Sequence, residues 1–183
     1  MIERLRAFPE DMAGLYPKPH DHRRYGLGHD LRVDLTIAVA VKFMRLHGWE
    51  TAADLSCGNG AIALSIADAP TLGDFAHGWP IEGPLEETID TIEPHDVYVC
   101  SETLEHLDNP GEALAKMRGI AKGLVLSTPI ECWDDDNPEH LWAWGREDVE
   151  WLLSSAGWTP EVHVQFDARV FGETYLYGIW VAK

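Results

Sequence analysis

A chain of 183 residues that is 45% hydrophobic and 25% charged has the size and make-up of one globular domain with a substantial core, which excludes a disordered or fibrous chain. Its 14 Lys+Arg against 31 Asp+Glu leave a formal charge of -17; such a surface repels phosphate backbones and anionic membranes, and Arg23-Arg24 with Arg32 is the one obvious seed of a basic patch. No apolar run is long enough to cross a bilayer, Met1-Ile2-Glu3-Arg4 opens no signal peptide, and Cys57, Cys100 and Cys132 form no Cys-x-x-Cys, so a soluble, cytoplasmic protein without disulfide framework or zinc-thiolate site is expected.

The first thirty residues are the least regular, with Pro9, Pro17, Pro19, Gly26 and Gly28 breaking any period. They read as an irregular segment or lid. From Asp30 to His47, Leu31, Leu35, Ala38, Val41 and Leu46 fall near helical spacing, and Gly48 supplies a stop. Thr51 to Leu55 reads as a strand, Asn59 to Ala67 as a short helix, Thr71 to Asp74 as a second strand and Asp96 to Cys100 as a buried strand. Asn109-Pro110-Gly111-Glu112 opens a helix with an Asn cap, Pro at the first position and a Glu that completes a capping box. That helix runs to about Lys122 and gives way to the strand Gly123 to Ser127. Arg146 to Ala156 is a helix closed by Gly157, and two strands near Glu161 to Phe166 and Thr174 to Val181 end the chain.

This alternation predicts an α/β fold: a doubly wound, mostly parallel sheet with helices on both faces, in one domain spanning 1-183. The last two strands have no helix between them and are expected to be antiparallel. Right-handed crossovers place the loops that follow parallel strands on one edge, where ligands bind.

Asp54-Leu55-Ser56-Cys57-Gly58-Asn59-Gly60 lies at a strand-to-helix junction. Small residues there let backbone approach a ligand, and the helix start presents free amides. Glycines also make plain tight turns, so the turn alone defines no ligand. With its acidic start, two glycines and a cysteine, the stretch resembles the cofactor loop of class I, Rossmann-like S-adenosylmethionine-dependent methyltransferases, with Ser56 in place of the first glycine. Gly-x-Gly-x-x-Gly, which a dinucleotide dehydrogenase favours, is absent. Val99 to Pro110, with its Glu-x-x-Glu-His turn, Ser127-Thr128-Pro129, and Gly145 to Trp158 extend the resemblance from about Thr51 to the C-terminus. It implies S-adenosylmethionine as cofactor, contacted by Asp54, Ser56, Cys57, Gly58, Gly60, Asp74, Phe75, Leu85, Ser101 and Glu102. Asp74 would hold the ribose hydroxyls, Phe75 would stack on adenine, and Glu82 or a nearby amide would meet its edge. Only about twenty residues, including Trp79 to Leu85, separate Asp74 from Asp96, so one helix after the second strand is expected to be missing.

Glu102, Glu105 and His106 stand at i, i+3 and i+4, where one helical turn gathers them on a face; His140 follows a later strand on the same edge. Two carboxylates and two imidazoles can bind a divalent metal. The arrangement resembles small-RNA 3′-terminal 2′-O-methyltransferases, which hold a metal this way, and equally quinone-type O-methyltransferases, which carry a similar Glu-His turn without one. His106 and His140 are the candidate bases for an oxygen acceptor. His20, His22 and His29 with Asp21 and Asp30 read as a surface loop or a lid. Trp133, Trp142 and Trp144 bracket His140 as an aromatic wall or as core, whereas Trp49, Trp151, Trp158 and Trp180 read as core or interface. Neither Asn/Asp-Pro-Pro-Tyr/Phe nor a Pro-Cys nucleophile is present. The expected activity is therefore methyl transfer to an oxygen or nitrogen of a small-molecule acceptor. The alternatives are metal-dependent RNA 2′-O-methylation and an inactive cofactor-binding partner subunit.

Overall fold

The computed structural model describes residues 1–9, 12–21 and 26–183. His22, Arg23 and Arg24, read above as part of a histidine-rich stretch and a basic seed, lie outside the described residues. In chain order the elements are β1 (Glu3–Arg4), α1 (Met12–Leu15), α2 (Leu27–His47), β2 (Ala52–Asp54), α3 (Ala63–Ile66), β3 (Thr71–Asp74), β4 (Ile81–Glu82), α4 (Leu85–Thr88), β5 (His95–Ser101), α5 (Pro110–Ile120), β6 (Ala121–Ile130), β7 (Trp142–Ala143), α6 (Arg146–Ser155), β8 (Pro160–Asp167) and β9 (Leu176–Ala182). Among the described residues, three 3-10 turns punctuate them, at Ile89–Thr91, Leu104–His106 and Ala168–Phe171.

Seven strands form one sheet in the order β4-β3-β2-β5-β6-β9-β8. The first five are parallel, and β9 lies antiparallel between β6 and β8. Both expectations, the parallel body and the antiparallel end, are met. The alternation of side chains along a strand builds two cores at once. Tyr98, Cys100, Leu124, Leu126 and Trp180 point to one face and meet α5 and α6 through Leu114, Met117, Val149 and Leu153. Val97, Val99, Val125 and Val181 point to the other and meet α2 through Val33, Ala40, Phe43 and Met44.

Local chemistry sets several boundaries. The Asn109 carboxamide accepts the Glu112 amide and donates to the Glu112 carboxylate, which starts α5 where the capping pattern places it. The expected helix from Asn59 to Ala67 shrinks to Ala63–Ile66. Asn59 Oδ1 instead accepts the Ala61 amide at 3.1 Å, a local turn that competes with helix. Parallel β3 and β4 pair through Gly73↔Ile81 and Asp74↔Glu82, and the connection 75–80 holds no helix. That is the missing helix; α4, a single turn after β4, packs Leu85 into the core of the α5 face.

Chain order reverses between β2 and β5, so a crevice opens outside their carboxyl ends. The glycine turn follows β2 there, and the Glu-x-x-Glu-His segment follows β5. Residues 1–9 and 12–21 return over this edge: β1 pairs with β7, and the Leu5 amide donates to the Leu141 carbonyl. Among the described residues, no helix is long and apolar enough to cross a membrane.

Candidate functional site

The site begins with the turn after β2. Gly58 and Gly60 have φ of 53° and 75°, a region that costs a side chain about 1 kcal/mol or more. Their backbone curls back so that the Gly58 amide donates to Asp74 Oδ2 at 2.7 Å. Asp74 Oδ1 accepts the Ala76 amide at 2.9 Å, and Trp79 Nε1 donates to the Gly58 carbonyl at 2.8 Å. The loop after β3 thus ties the glycine turn in place, leaving the Asp74 carboxylate with unused lone pairs toward the crevice.

The crevice there is a cavity of about 890 Å³, its open mouth included. Of the proposed cofactor contacts, Ser56, Gly58, Asp74, Phe75, Leu85 and Glu102 line it, beside Leu55, Pro84, Thr103 and Leu107. Asp54, Cys57, Gly60 and Ser101 stand behind it. Asp54 is buried, and its Oδ1 accepts the Ser56 amide at 3.1 Å. Burial raises its carboxyl to about 7, the nearby Asp74 charge adds to the rise, and the Ser56 bonds oppose it. The Cys57 thiol packs with Ala63 and Leu72, and burial, then the charges of Asp54 and Asp74, push it well above the thiol range. Ser101 is bound to Arg32 and Ser127 beneath the floor. Glu82 bonds to His77 and the Gly78 amide away from the cavity.

A second cavity, about 1130 Å³ with its mouth, adjoins the first. His29, Asn137, Glu139, His140, Glu173, Thr174, Tyr175 and Tyr177 belong to it alone, whereas His20, Glu102 and His106 line both. The i, i+3, i+4 spacing leads one to expect a single helical turn across Glu102 to His106. The structure starts the 3-10 turn at Leu104 and puts Glu102 at φ 52°, outside it. Two contacts hold Glu102 there: Ser127 Oγ donates to its Oε1 at 3.0 Å, and the Arg32 guanidinium stands 3.7 Å away. Arg32 itself is fully buried, donating to Ser101 and Ser127 and facing the Tyr177 ring, so it seeds no surface patch.

Glu105, His106 and His140 converge: one donor atom from each lies within 4.8 Å of the others, and Glu102 is not part of that group. The tautomers follow from the bonds. His106 Nδ1 lies 2.9 Å from the Glu139 carbonyl oxygen, which only accepts, so Nδ1 carries hydrogen and Nε2 a lone pair. Tyr16 stands beside the same nitrogen and donates to Glu139 Oε2 at 3.2 Å. His140 Nδ1 donates to Asp135 Oδ2 at 2.6 Å, leaving its Nε2 as the open nitrogen. Glu105 Oε2 accepts from Thr128 Oγ1 at 3.0 Å, while Oε1 is buried without a hydrogen-bond partner, 3.8 Å from His106 Nε2. Burial lowers His106 to about 3, with His140 adding to the fall. Burial also opposes charge on His140, but the Asp135 bond and the Glu105, Asp135 and Glu102 charges outweigh it and raise the group. Glu105 is raised by burial and by Glu102, against the pull of His140.

The second cavity's aromatic wall is Tyr175 and Tyr177 rather than tryptophan. Trp144 is core, donating to the Pro129 carbonyl, and Trp142 lies under Arg4 and donates to the Leu107 carbonyl. Trp133 and Trp151 are exposed, whereas Trp158 and Trp180 are buried, as a core reading requires. His20 and His29, read above as part of a surface loop or a lid, line the cavities, His20 both and His29 the second, and Tyr16 and Phe8, which no pattern singled out, line the first.

A strand order that reverses beside a glycine turn defines a Rossmann-like α/β domain. Neither a family model nor a curated protein matches the sequence. Solved structures do. The Burkholderia thailandensis 1,6-didemethyltoxoflavin-N1-methyltransferase, with 1,6-didemethyltoxoflavin and S-adenosylhomocysteine bound, has a TM-score of 0.61 at 18% identity over 85% of this chain and 81% of that one. Magnesium protoporphyrin IX methyltransferase from Synechocystis PCC 6803, with S-adenosylmethionine bound, gives 0.63 at 17% identity over 85% and 79%. The small RNA methyltransferase HEN1 gives 0.60 at 19% identity over 82% of this chain but 25% of its own. The fold is that of the class I S-adenosylmethionine-dependent methyltransferases.

Proposed function

We propose that the protein is an S-adenosylmethionine-dependent methyltransferase acting on an oxygen or nitrogen of a small-molecule acceptor. The observation that carries this reading is the pair of adjoining cavities with a common wall of His20, Glu102 and His106. One cavity is framed by the glycine turn and Asp74, in keeping with a nucleoside ligand, and the other by hydrogen-bonding side chains. S-adenosylmethionine supplies a methyl group already activated on a sulfonium sulfur. The protein's part is to bring an acceptor through the common wall in line with that group and to exclude water.

Asp74, with lone pairs left over from the Gly58 and Ala76 amides, suits a ribose diol, and Phe75 and Leu85 offer apolar surface for a base. For an oxygen acceptor, His106 and His140 are the candidate bases: the Nδ1 hydrogen of each is committed, to the Glu139 carbonyl and to Asp135, which leaves Nε2 to take a proton. Burial makes His106 the weaker base of the two, whereas the Asp135 bond raises His140. The acidity of the chain favours a small molecule over RNA.

A divalent metal is an alternative to such a base, because an ion on His106 Nε2 would occupy the lone pair a base needs. Glu105 Oε1, buried and without a partner, faces two imidazoles whose Nδ1 atoms are already bound, one by a carboxylate and one by a backbone carbonyl. Such outer partners orient imidazoles toward a metal, and the donor set suits zinc-like or cobalt-like ions. Bound there, the ion would lower the pKa of an acceptor hydroxyl. It would be held by Glu105, His106 and His140, with Glu102 kept back by Ser127 and Arg32.

Calorimetry with S-adenosylhomocysteine tests the core of the reading. Binding that Asp74→Ala weakens supports it; no binding by the wild type sinks both the enzyme and the inactive-subunit alternative. Methyl transfer from labelled S-adenosylmethionine to a panel of hydroxyl and amine acceptors, set beside single-stranded RNA 3′ ends, then separates the substrate classes. Transfer to RNA alone, dependent on Co²⁺ and lost in Glu105→Ala, would select the runner-up.

A further inference from the structure

The loop 134–141 carries His140 and has no regular structure of its own, yet it is built to a definite shape. Asp135 Oδ1 accepts the Asn137 amide at 2.9 Å and the Tyr175 hydroxyl at 3.1 Å, and its Oδ2 accepts His140 Nδ1. Asn137 Oδ1 accepts the Glu139 amide at 3.0 Å, and the His140 amide donates to the Asn137 carbonyl. The result turns three backbone carbonyls, those of Asp135, Asn137 and His140, toward one point. Converging carbonyl dipoles repel each other unless a cation with several donors stands among them. Arg6 stands there: Nη1 donates to Asn137 and His140, and Nη2 donates to Asp135 at 2.6 Å. A guanidinium suits this task because its donors diverge in a fixed plane. Two backbone bonds bracket the same clamp. Leu5 donates to Leu141, and Leu141 donates to Glu105 at 2.8 Å, which links the N-terminal segment to the turn that carries Glu105 and His106.

We propose that Arg6 is a positioning residue for His140. By gathering the three carbonyls it imposes the loop shape in which Asp135 grips Nδ1 and Nε2 is turned toward Glu105 and His106. Residues 3–6, more than 120 positions from His140 in sequence, are then part of the site's machinery rather than only an edge tether. The proposal rests on the reading of His140 as a site residue, but its geometry is testable without turnover.

The test uses the full chain with Arg6→Ala and Arg6→Lys. The first readout is the downfield ring-proton resonance of the His140 Nδ1–H bonded to Asp135, assigned through the loss of that signal in His140→Gln. Arg6→Ala should lose it, millimolar guanidinium should restore it, and Arg6→Lys should retain it only in part. The second readout is Co²⁺ affinity by calorimetry, expected to fall by about tenfold or more in Arg6→Ala. Should Arg6→Ala not fold, Arg6→Lys carries the comparison alone: a full wild-type resonance in it overturns the need for a fork of donors. An unchanged resonance in folded Arg6→Ala overturns the proposal outright. Wild-type protein that takes no Co²⁺ would refute the metal reading only, because the ring-proton signal decides the role of Arg6 by itself.

Discussion

The two halves of the sheet are built differently. On one side of the switch point, β2, β3 and β4 run 3, 4 and 2 residues, and the cavity they carry is shaped by backbone: two left-handed glycines, the Gly58 amide on Asp74, the Trp79 indole on the Gly58 carbonyl. On the other side, β5, β6, β9 and β8 run 7, 10, 7 and 8 residues, with a core on each face. The site carried there is made of side chains: Glu105, His106, His140 and their partners. A nucleoside needs few fixed atoms, which a short ribbon of backbone provides. A convergence of buried acid and imidazole has to be held against its own desolvation, and that calls for the stiff half.

The largest effect should come from burdening the stiff half. A Cβ on Gly178 would sit 2.1 Å from the ring of Trp180, which is fully buried and cannot retreat. Gly178→Ala should cost about 3 kcal/mol and unfold the whole domain early. The matching change on the short half, Gly73→Ala, meets the Ile81 carbonyl at 2.9 Å on the edge pair. It should displace β4 and weaken S-adenosylhomocysteine binding while leaving most of the melting temperature. Equal losses of Tm in the two variants would break the contrast.

Asp54 comes next, because it sits at the end of β2 against the core. Its carboxyl is raised from 3.8 to about 7 by burial, with Asp74 adding to the rise. Between those values the folded chain binds a proton that the unfolded chain has lost, so stability falls as pH rises through the window. Asp54→Asn removes the titration and keeps the acceptor for Ser56. From pH 5 to pH 8 the wild type should lose about 2 kcal/mol that the variant does not, read by urea unfolding. Parallel curves would show that Asp54 ionises freely. A smaller change is Asp74→Asn, which removes the charge and turns one of the two acceptors into a donor, so that either the Gly58 or the Ala76 amide loses its partner. It should weaken S-adenosylhomocysteine roughly tenfold and lower stability by about 1 kcal/mol.

The halves also differ in how far they could be read from sequence. The glycine turn, Asp74 and the shortened passage to Asp96 were legible because left-handed φ and chain length are local facts. So were the buried strand before Ser101 and the Asn109 cap. The side-chain half was legible only as residue types. His106 and His140 stand out, but spacing put Glu102 with them, whereas Ser127 and a fully buried Arg32 draw it aside. Neither Ser127 nor Arg32 signals that role in sequence. Tyr16, His20 and Arg6 reach the site from an irregular segment with no period to read, and their placement depends on β1 meeting β7 across the length of the chain.

The smallest effect tests the joint between the halves. Asp96, at the start of β5, accepts the Glu50 and Thr51 amides on Oδ2 at 3.0 and 3.1 Å, and Lys122 Nζ on Oδ1 at 2.7 Å. The Asp96 amide donates to Thr51 Oγ1. These contacts fasten the start of β2 to β5, at the edge opposite both cavities. Burial pushes the carboxyl up, but the two amides and Lys122 more than offset that and hold it well below the usual range. A depressed carboxylate contributes stability that is present above its unfolded pKa and fades as pH falls through the folded one. Asp96→Ala should therefore lose about 1 kcal/mol at pH 7, with the gap to wild type closing below about pH 4. Because the joint lies at the far end of the strands, S-adenosylhomocysteine affinity should not move. If it does, the short half is not an independent cradle but takes its shape through β2 from the stiff half behind it.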